Sequence, residues 1–126
     1  MHSQINEIRF NKEKAQCFFS KILAFTVGPV ELKNLMDEQK VNIVDVRSPQ
    51  DYEIAHIPSA ISIPENELAE KLDNLSKENV TVVYSYNEHC KLGVRAALTL
   101  ADYSYPVVLL DGGFKTWSED FRFTTV

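Results

Sequence analysis

A cysteine in a short polar loop is the residue of this chain whose type and surroundings best suit covalent chemistry. Cys90 stands between His89 and Lys91 in the loop 85–91, which leads from an apolar run into a segment with helical periodicity. The thiolate is the reactive form of cysteine, and an electropositive, partly exposed setting increases its population at neutral pH. We therefore interpret Cys90 as a nucleophile, with an inert buried thiol as the alternative.

The residues that follow Cys90 are suited to holding an anion. A loop that enters a helix presents backbone N–H groups without intrahelical partners, and the helix dipole favours negative charge there. The predicted anion site therefore comprises Lys91, Leu92, Gly93, Val94 and Arg95, with Ser85 and His89 as loop neighbours.

The elements that must position this loop form an α/β pattern. Apolar, β-branched runs predict strands at 41–46, 60–63, 80–84 and 107–110. Apolar spacing predicts helices at 11–25, 30–39, 65–75, 92–103 and 114–119, with a further helical turn at 50–54. Alternating strands and helices indicate a parallel β-sheet covered by helices on both faces. In the helix 92–103, the residues predicted to face the core are Val94, Ala97, Leu98 and Ala101.

The first 27 residues are predicted to form an N-terminal helical extension to a domain at 28–126. The apolar stripe of the helix 11–25 is formed by Ala15, Phe18, Phe19, Ile22 and Phe25. Cys17 lies on this stripe beside Phe18 and is interpreted as core packing. We expect the stripe to pack on its own domain; the alternative is a homodimer formed through this helix.

Length, net charge and cysteine content limit the functions that this chain is expected to have. A chain of 126 residues suits one domain, and its net charge of −5 argues against binding nucleic acid. The N-terminus lacks the layout of a signal peptide, and no apolar stretch is long enough for a membrane span. The two cysteines fit no metal-ligand spacing. We therefore expect two free thiols in a reducing cytoplasm, with no metal and no cofactor.

Two motifs, in this order along residues 28–119, resemble the rhodanese-like domain family. The first, in 44–64, has Asp-x-Arg after a strand and then His-Ile-Pro; the second is a closing Gly-Gly-x-x-x-Trp. The residues that carry these motifs are Asp45, Arg47, His56, Gly112, Gly113 and Trp117. The resemblance implies a rhodanese-like fold and a sulfurtransferase that moves sulfane sulfur from thiosulfate or a persulfide donor to a thiol or cyanide acceptor through a cysteine persulfide.

The physical interpretation of these motif residues is mainly structural. Asp45 and Arg47 share a face where their strand ends, and Arg47 is placed to pair with a loop carboxylate such as Asp51 or Glu53. His56 is expected to bond a loop rather than to catalyse. The two glycines permit positive φ and close backbone approach.

One departure from the family pattern leaves the activity open. In the family the catalytic cysteine usually follows the third core strand directly, and here that place holds Ser85, with Cys90 five residues later. Either Cys90 is the nucleophile of a sulfurtransferase, or the chain is a catalytically inactive binding or regulatory module. A phosphatase loop is a weaker alternative, because four residues rather than five separate Cys90 from Arg95 and would disturb the phosphate cradle.

Overall fold

The computed structural model describes residues 2–126 as helices on a five-stranded sheet. The strands are β1 (Thr26–Val27), β2 (Val41–Asp45), β3 (Ile61–Ser62), β4 (Val80–Tyr84) and β5 (Val107–Leu110). The α-helices are α1 (His2–Arg9), α2 (Lys12–Phe25), α3 (Pro29–Asp37), α4 (Pro49–Ile54), α5 (Leu92–Asp102) and α6 (Gly113–Lys115). A π-helical turn, Thr116–Asp120, continues α6.

The predicted parallel sheet is confirmed. Its strand order is β1-β5-β4-β2-β3, and every neighbouring pair is parallel. The added edge strand β1 comes from the end of the predicted extension, so residues 26 and 27 belong to the sheet. Since all strands run the same way, the loop after β4 and the turn after β5 leave the sheet at the same edge, where open parallel sheets bind ligands.

Alternation along the strands divides the core into two layers. On β4, Val82 and Tyr84 face one layer with Leu32 of α3 and Trp117, whereas Val83 faces the other layer with the helix α5. The sheet is therefore covered on both faces, as predicted.

The segment 65–75 is not the single α-helix predicted. It forms two 3₁₀ helices, Glu65–Glu70 and Leu72–Asn74, each closed by a bond three residues back. Lys71 between them has φ −121° and ψ 23°, which breaks the helical run, yet Leu68 and Leu72 remain buried.

The face of α5 that packs on the sheet was predicted wrongly. Gly93, Ala96 and Leu100 are buried, whereas Val94 and Leu98 are exposed. Of the other two residues expected to face the core, Ala101 is exposed and Ala97 is half-buried. The physical reason is close approach: a Cβ on Gly93 would lie 2.9 Å from Leu109 Cδ1, so the small-residue face fits against the sheet.

The helix α2 has no buried residue, which contradicts the expectation that its stripe packs on its own domain. Phe18, Phe19 and Phe25 are exposed, and Cys17 is exposed rather than part of a core. The sheet faces are already covered by the helices of the two core layers, so α2 lies beside the edge strand β1 with its apolar stripe in water.

Candidate active site

The thiol of Cys90 lies beside the side chain of the residue that directly follows β4. Cys90 Sγ is 3.0 Å from Ser85 Oγ, and Ser85 is buried. A compact turn produces this contact, because Cys90 N–H donates to Asn87 O at 3.2 Å and His89 N–H donates to Asn87 Oδ1 at 2.9 Å. The loop therefore folds back and brings the displaced cysteine to the end of the strand.

Hydrogen-bond donors lower the pKa of the Cys90 thiol below its ordinary value. Partial burial acts in the opposite direction and raises the pKa. The Ser85 hydroxyl, the backbone N–H groups of Leu92 and Tyr86, and the charge of Arg95 outweigh it by stabilising the thiolate. Such an environment favours the nucleophilic form of cysteine.

The predicted anion-site residues contribute unequally. Leu92 and Arg95 stabilise the Cys90 thiolate, whereas Gly93 and Val94 line the cavity beside it. The side chain of Lys91 is exposed at the N-cap of α5 and makes no capping bond.

His89, expected as a polar loop neighbour of Cys90, lies on the exposed side of the loop. Its exposed ring lies 3.5 Å from the carboxylate of Glu88. No hydrogen bond among residues 2–126 joins the His89 ring to Cys90, so the structure does not bring these two side chains together as a pair.

The Gly-Gly turn after β5 holds the cysteine loop in place. Phe114 N–H donates to Ser85 O and Lys115 N–H donates to Tyr86 O, both at 2.9 Å. Gly113 has φ +65°, and a Cβ there would lie 2.8 Å from Asn87 N and 2.9 Å from Ser85 O. Glycine is therefore required both by the backbone conformation and by the close approach of the two loops. The glycine pair was the one sequence signal for these contacts.

Two adjoining cavities open at this edge of the sheet. The one beside Cys90 has a volume of about 70 Å³, and Ser85, Gly93 and Gly113 are among its walls. Such a volume suits a small anion or an added sulfur atom. A wider polar cavity of about 340 Å³ adjoins it through Asn87 and Glu88.

Asp45 and Arg47 form a buried ion pair under the site. Arg47 Nη2 lies 2.8 Å from Asp45 Oδ2, and the same guanidinium donates to Ala55 O at 2.7 Å. Tyr84 donates its hydroxyl to Asp45 Oδ2 at 2.7 Å. The structural interpretation of the pair is supported, but the expected partner was wrong. The guanidinium bonds Asp45 rather than Asp51 or Glu53, since Asp45 ends β2 only two residues before Arg47.

Tyr86 links the cysteine loop to this ion pair, a role that the sequence reasoning missed. Its hydroxyl donates to Asp51, and its ring centre lies 5.7 Å from the Arg47 guanidinium carbon. The hydrogen bonds from Tyr86 and Ser48 lower the pKa of Asp51. No local pattern marks Tyr86, because the partners come from a distant segment of the chain.

His56 and Trp117 hold the C-terminal segment on the domain. His56 Nδ1 lies 2.8 Å from Tyr52 O, and the His56 backbone pairs with that of Val126. The buried Trp117 donates its Nε1–H to Thr124 O at 3.0 Å. His56 was expected to hydrogen-bond a loop; its ring contacts a carbonyl of α4 instead, and only its backbone pairs with the C-terminal segment.

Residues 2–126 were also compared with the requirements of a metal site and of a membrane-spanning helix. These residues contain no group of three or more His, Cys, Asp or Glu side chains placed to share a metal ion. None of the helices they form has the length and apolar character needed to cross a membrane.

Known proteins share this architecture. The family model described as "Rhodanese-like domain" matches residues 28–120. A solved structure from Bacillus halodurans is 28% identical and superposes with a TM-score of 0.82 over 92% of this chain and 86% of its own. A rhodanese-like domain protein from Staphylococcus aureus, also 28% identical, gives a TM-score of 0.61 over 74% of this chain and 90% of its own.

Three curated relatives illustrate the kinds of protein that this chain resembles. The thiosulfate sulfurtransferase GlpE of Pseudomonas syringae is 30% identical over 78% of this chain and 92% of its own length. The HTH-type transcriptional regulator Rv0324 of Mycobacterium tuberculosis is 34% identical over 69% of this chain. That alignment spans only 38% of the regulator. The probable adenylyltransferase/sulfurtransferase MoeZ of the same species is 33% identical over 77% of this chain, and this alignment spans only 25% of MoeZ.

Proposed function

Because this chain belongs to the rhodanese-like domain family, we propose that it is a sulfurtransferase in which Cys90 carries the transferred sulfur. The observation that carries this proposal is the 3.0 Å distance between Cys90 Sγ and Ser85 Oγ. It puts a thiol at the end of β4 although the residue directly after that strand is serine. The similarity to a thiosulfate sulfurtransferase supports the same reaction class.

The reaction is two successive displacements at one sulfur atom. The Cys90 thiolate attacks the outer sulfur of thiosulfate; a new S–S bond forms to Cys90, the donor's S–S bond breaks, and sulfite leaves with the electron pair. A thiolate acceptor or cyanide then attacks the outer sulfur of the Cys90 persulfide. The product leaves with that sulfur, and the electron pair of the broken bond returns to Cys90 as thiolate.

The groups around Cys90 suit both steps. Ser85 and the N–H groups of Tyr86 and Leu92 stabilise the attacking thiolate. The same donors stabilise the Cys90 thiolate again when the second step releases it. The charge of Arg95 favours an incoming anion. The cavity of about 70 Å³ beside the thiol provides room for the outer sulfur.

The partners of this reaction are small. We propose a sulfur-containing anion or a persulfide as donor and a thiol as acceptor, in a compartment that keeps Cys17 and Cys90 reduced, such as the cytoplasm. No resident cofactor takes part in either displacement. We also propose that residues 1–27 form a helical extension to the domain at 28–126, with Thr26 and Val27 joining its sheet as an edge strand.

A thiosulfate:cyanide sulfurtransferase assay tests the proposal. We expect Cys90→Ala to abolish turnover and Cys17→Ala, at an exposed thiol on α2, to leave it unchanged. Intact-mass analysis after incubation with thiosulfate should show one added sulfur atom in the wild type and in Cys17→Ala only. Equal turnover by wild type and Cys90→Ala would exclude Cys90 as the nucleophile.

A second candidate function is a sulfur-inactive binding or regulatory module. Ser85 favours it, because a hydroxyl is a poor sulfur carrier and stands where the family usually has its cysteine. The similarity to an HTH-type transcriptional regulator supports a regulatory role for this domain. Turnover that appears only in Ser85→Cys, with none in the wild type, would favour this candidate.

A further inference from the structure

An apolar surface runs from the helix α2 to the outer side of α5. On α2 it presents side chains on successive turns, and on α5 it presents the stripe that does not pack on the sheet. We call this the α2–α5 surface; its exposed members are Phe18, Phe19, Ile22, Leu23, Phe25, Val94 and Leu98. Phe25 joins the two parts, because it lines a groove together with Val94 and Leu98.

We propose that the α2–α5 surface binds a second copy of this chain, so that the protein is a homodimer. The proposal does not depend on the reaction of Cys90. Three observations favour this occupant: the apolar area, the match between a groove and side chains on the same surface, and the uneven distribution of charge.

The exposed apolar area meets what a stable dimer needs. Phe18, Phe19 and Phe25 leave 59%, 60% and 57% of their surface in water, which for side chains of about 200 Å² is roughly 350 Å² of aromatic surface. The aliphatic members raise the total above the roughly 300–600 Å² of the largest apolar patch on a typical monomer. A standard interface takes about 800 Å² from each partner, a little over half of it apolar.

The surface carries both a groove and side chains suited to filling it. The groove has a volume of about 330 Å³, and its floor is formed by Ala97, Ala101, Val107 and Val108. The exposed aromatic rings of Phe18 and Phe19 lie on one turn of α2, with ring centres 5.4 Å apart. In a two-fold dimer the same surface of both copies meets, so each copy can place α2 rings in the other's groove. A membrane surface offers no such projecting side chains.

Charge favours the same occupant. Residues 1–27 carry four basic and two acidic side chains, whereas residues 28–126 carry nine basic and sixteen acidic ones. An extension with a basic excess that packs against the acidic body of a second copy gains electrostatic complementarity. Val94 also lines the Cys90 cavity, so the bound copy would border the mouth of the candidate active site.

Sedimentation velocity of the full chain over a roughly hundredfold range of concentration tests the proposal. We expect the wild type and Cys90→Ala to sediment as a species of twice 14.4 kDa. Leu23→Glu on α2 and Leu98→Glu in the groove should each shift the protein to monomer. Ile54→Glu, at an exposed apolar residue of α4 outside the surface, is the matched control and should remain dimeric.

Circular dichroism and thermal unfolding check that all four variants are folded. Exclusively monomeric wild type would overturn the proposal, and so would a dimer that survives both Leu23→Glu and Leu98→Glu. Binding of the same proteins to vesicles of anionic phospholipid tests whether the surface contacts a membrane instead. A monomeric wild type that binds them, with binding lost in Leu23→Glu, would assign the surface to a membrane instead.

Discussion

The Ser85 hydroxyl and the Cys90 thiol lie 3.0 Å apart although four residues separate them in the chain. Ser85 directly follows a buried strand and is itself buried, and its backbone carbonyl accepts a hydrogen bond from Phe114 N–H. These contacts hold Ser85 in place. Cys90 reaches it from the far end of the loop. At the end of β4, Ser85 therefore provides a hydrogen-bonding hydroxyl, and Cys90 provides the sulfur atom beside it.

We expect the Cys90 thiol to titrate at a lower pH in the folded chain than in the unfolded chain. The surrounding donors stabilise the thiolate and lower the pKa, so the reactive form persists as the pH falls. The rate of iodoacetamide alkylation against pH, measured in a Cys17→Ser background, reports this midpoint. The same protein in urea is the control, and coincident midpoints in the two conditions would contradict the prediction.

Ser85→Ala should move that alkylation midpoint to higher pH. The substitution removes one hydrogen bond to the thiolate, and a bond of this kind contributes a factor of about two to ten. The second-order alkylation rate at pH 7 should therefore fall by about that factor. Thr99→Ala is the control, because the Thr99 hydroxyl bonds Arg95 O within its own helix α5. An equal effect of both substitutions would rule out a specific role for Ser85.

Gly113→Ala should lower the free energy of unfolding by at least about 2 kcal/mol. The left-handed φ of +65° penalises any Cβ, and that atom would also meet the backbone of Asn87 and Ser85 below 3.0 Å. Urea unfolding measures the change. Gly28→Ala is a matched control, since a Cβ on Gly28 meets nothing within 4 Å, and its φ is −85°. Similar losses in both variants would refute this account of Gly113.

Arg47→Leu should lower the free energy of unfolding by about 3–5 kcal/mol, because it leaves the Asp45 carboxylate buried without its cation. Arg47 is 4% exposed and Asp45 is fully buried. The exposed pair between Lys71 and Glu67, at 2.9 Å, gives the comparison. Lys71→Ala should change stability by less than about 1 kcal/mol, so chemical unfolding that finds the two losses alike would contradict a special role for the buried pair.

Local patterns in the sequence were sufficient for the layout around the site. The apolar run 80–84, the polar loop after it and the helical period after Leu92 predicted a strand, loop and helix that the structure contains. The Gly112–Gly113 pair permits a positive φ, and both residues have one. These features depend on neighbouring residues alone, since backbone sterics and hydrophobic periodicity are short-range effects.

Tertiary structure decided which surfaces are covered and which side chains meet. The helix α5 has two apolar stripes, and periodicity alone could not tell that Gly93 and Ala96 pack on the sheet while Leu98 stays in water. The exposure of Cys17 depends likewise on segments far apart in the chain. The turn that brings Cys90 to Ser85 is local, but it is held by backbone bonds from the distant residues Phe114 and Lys115. Burial and long-range contact are set by competition among all apolar surfaces for a limited sheet area, and no local spacing of residues records the outcome of that competition.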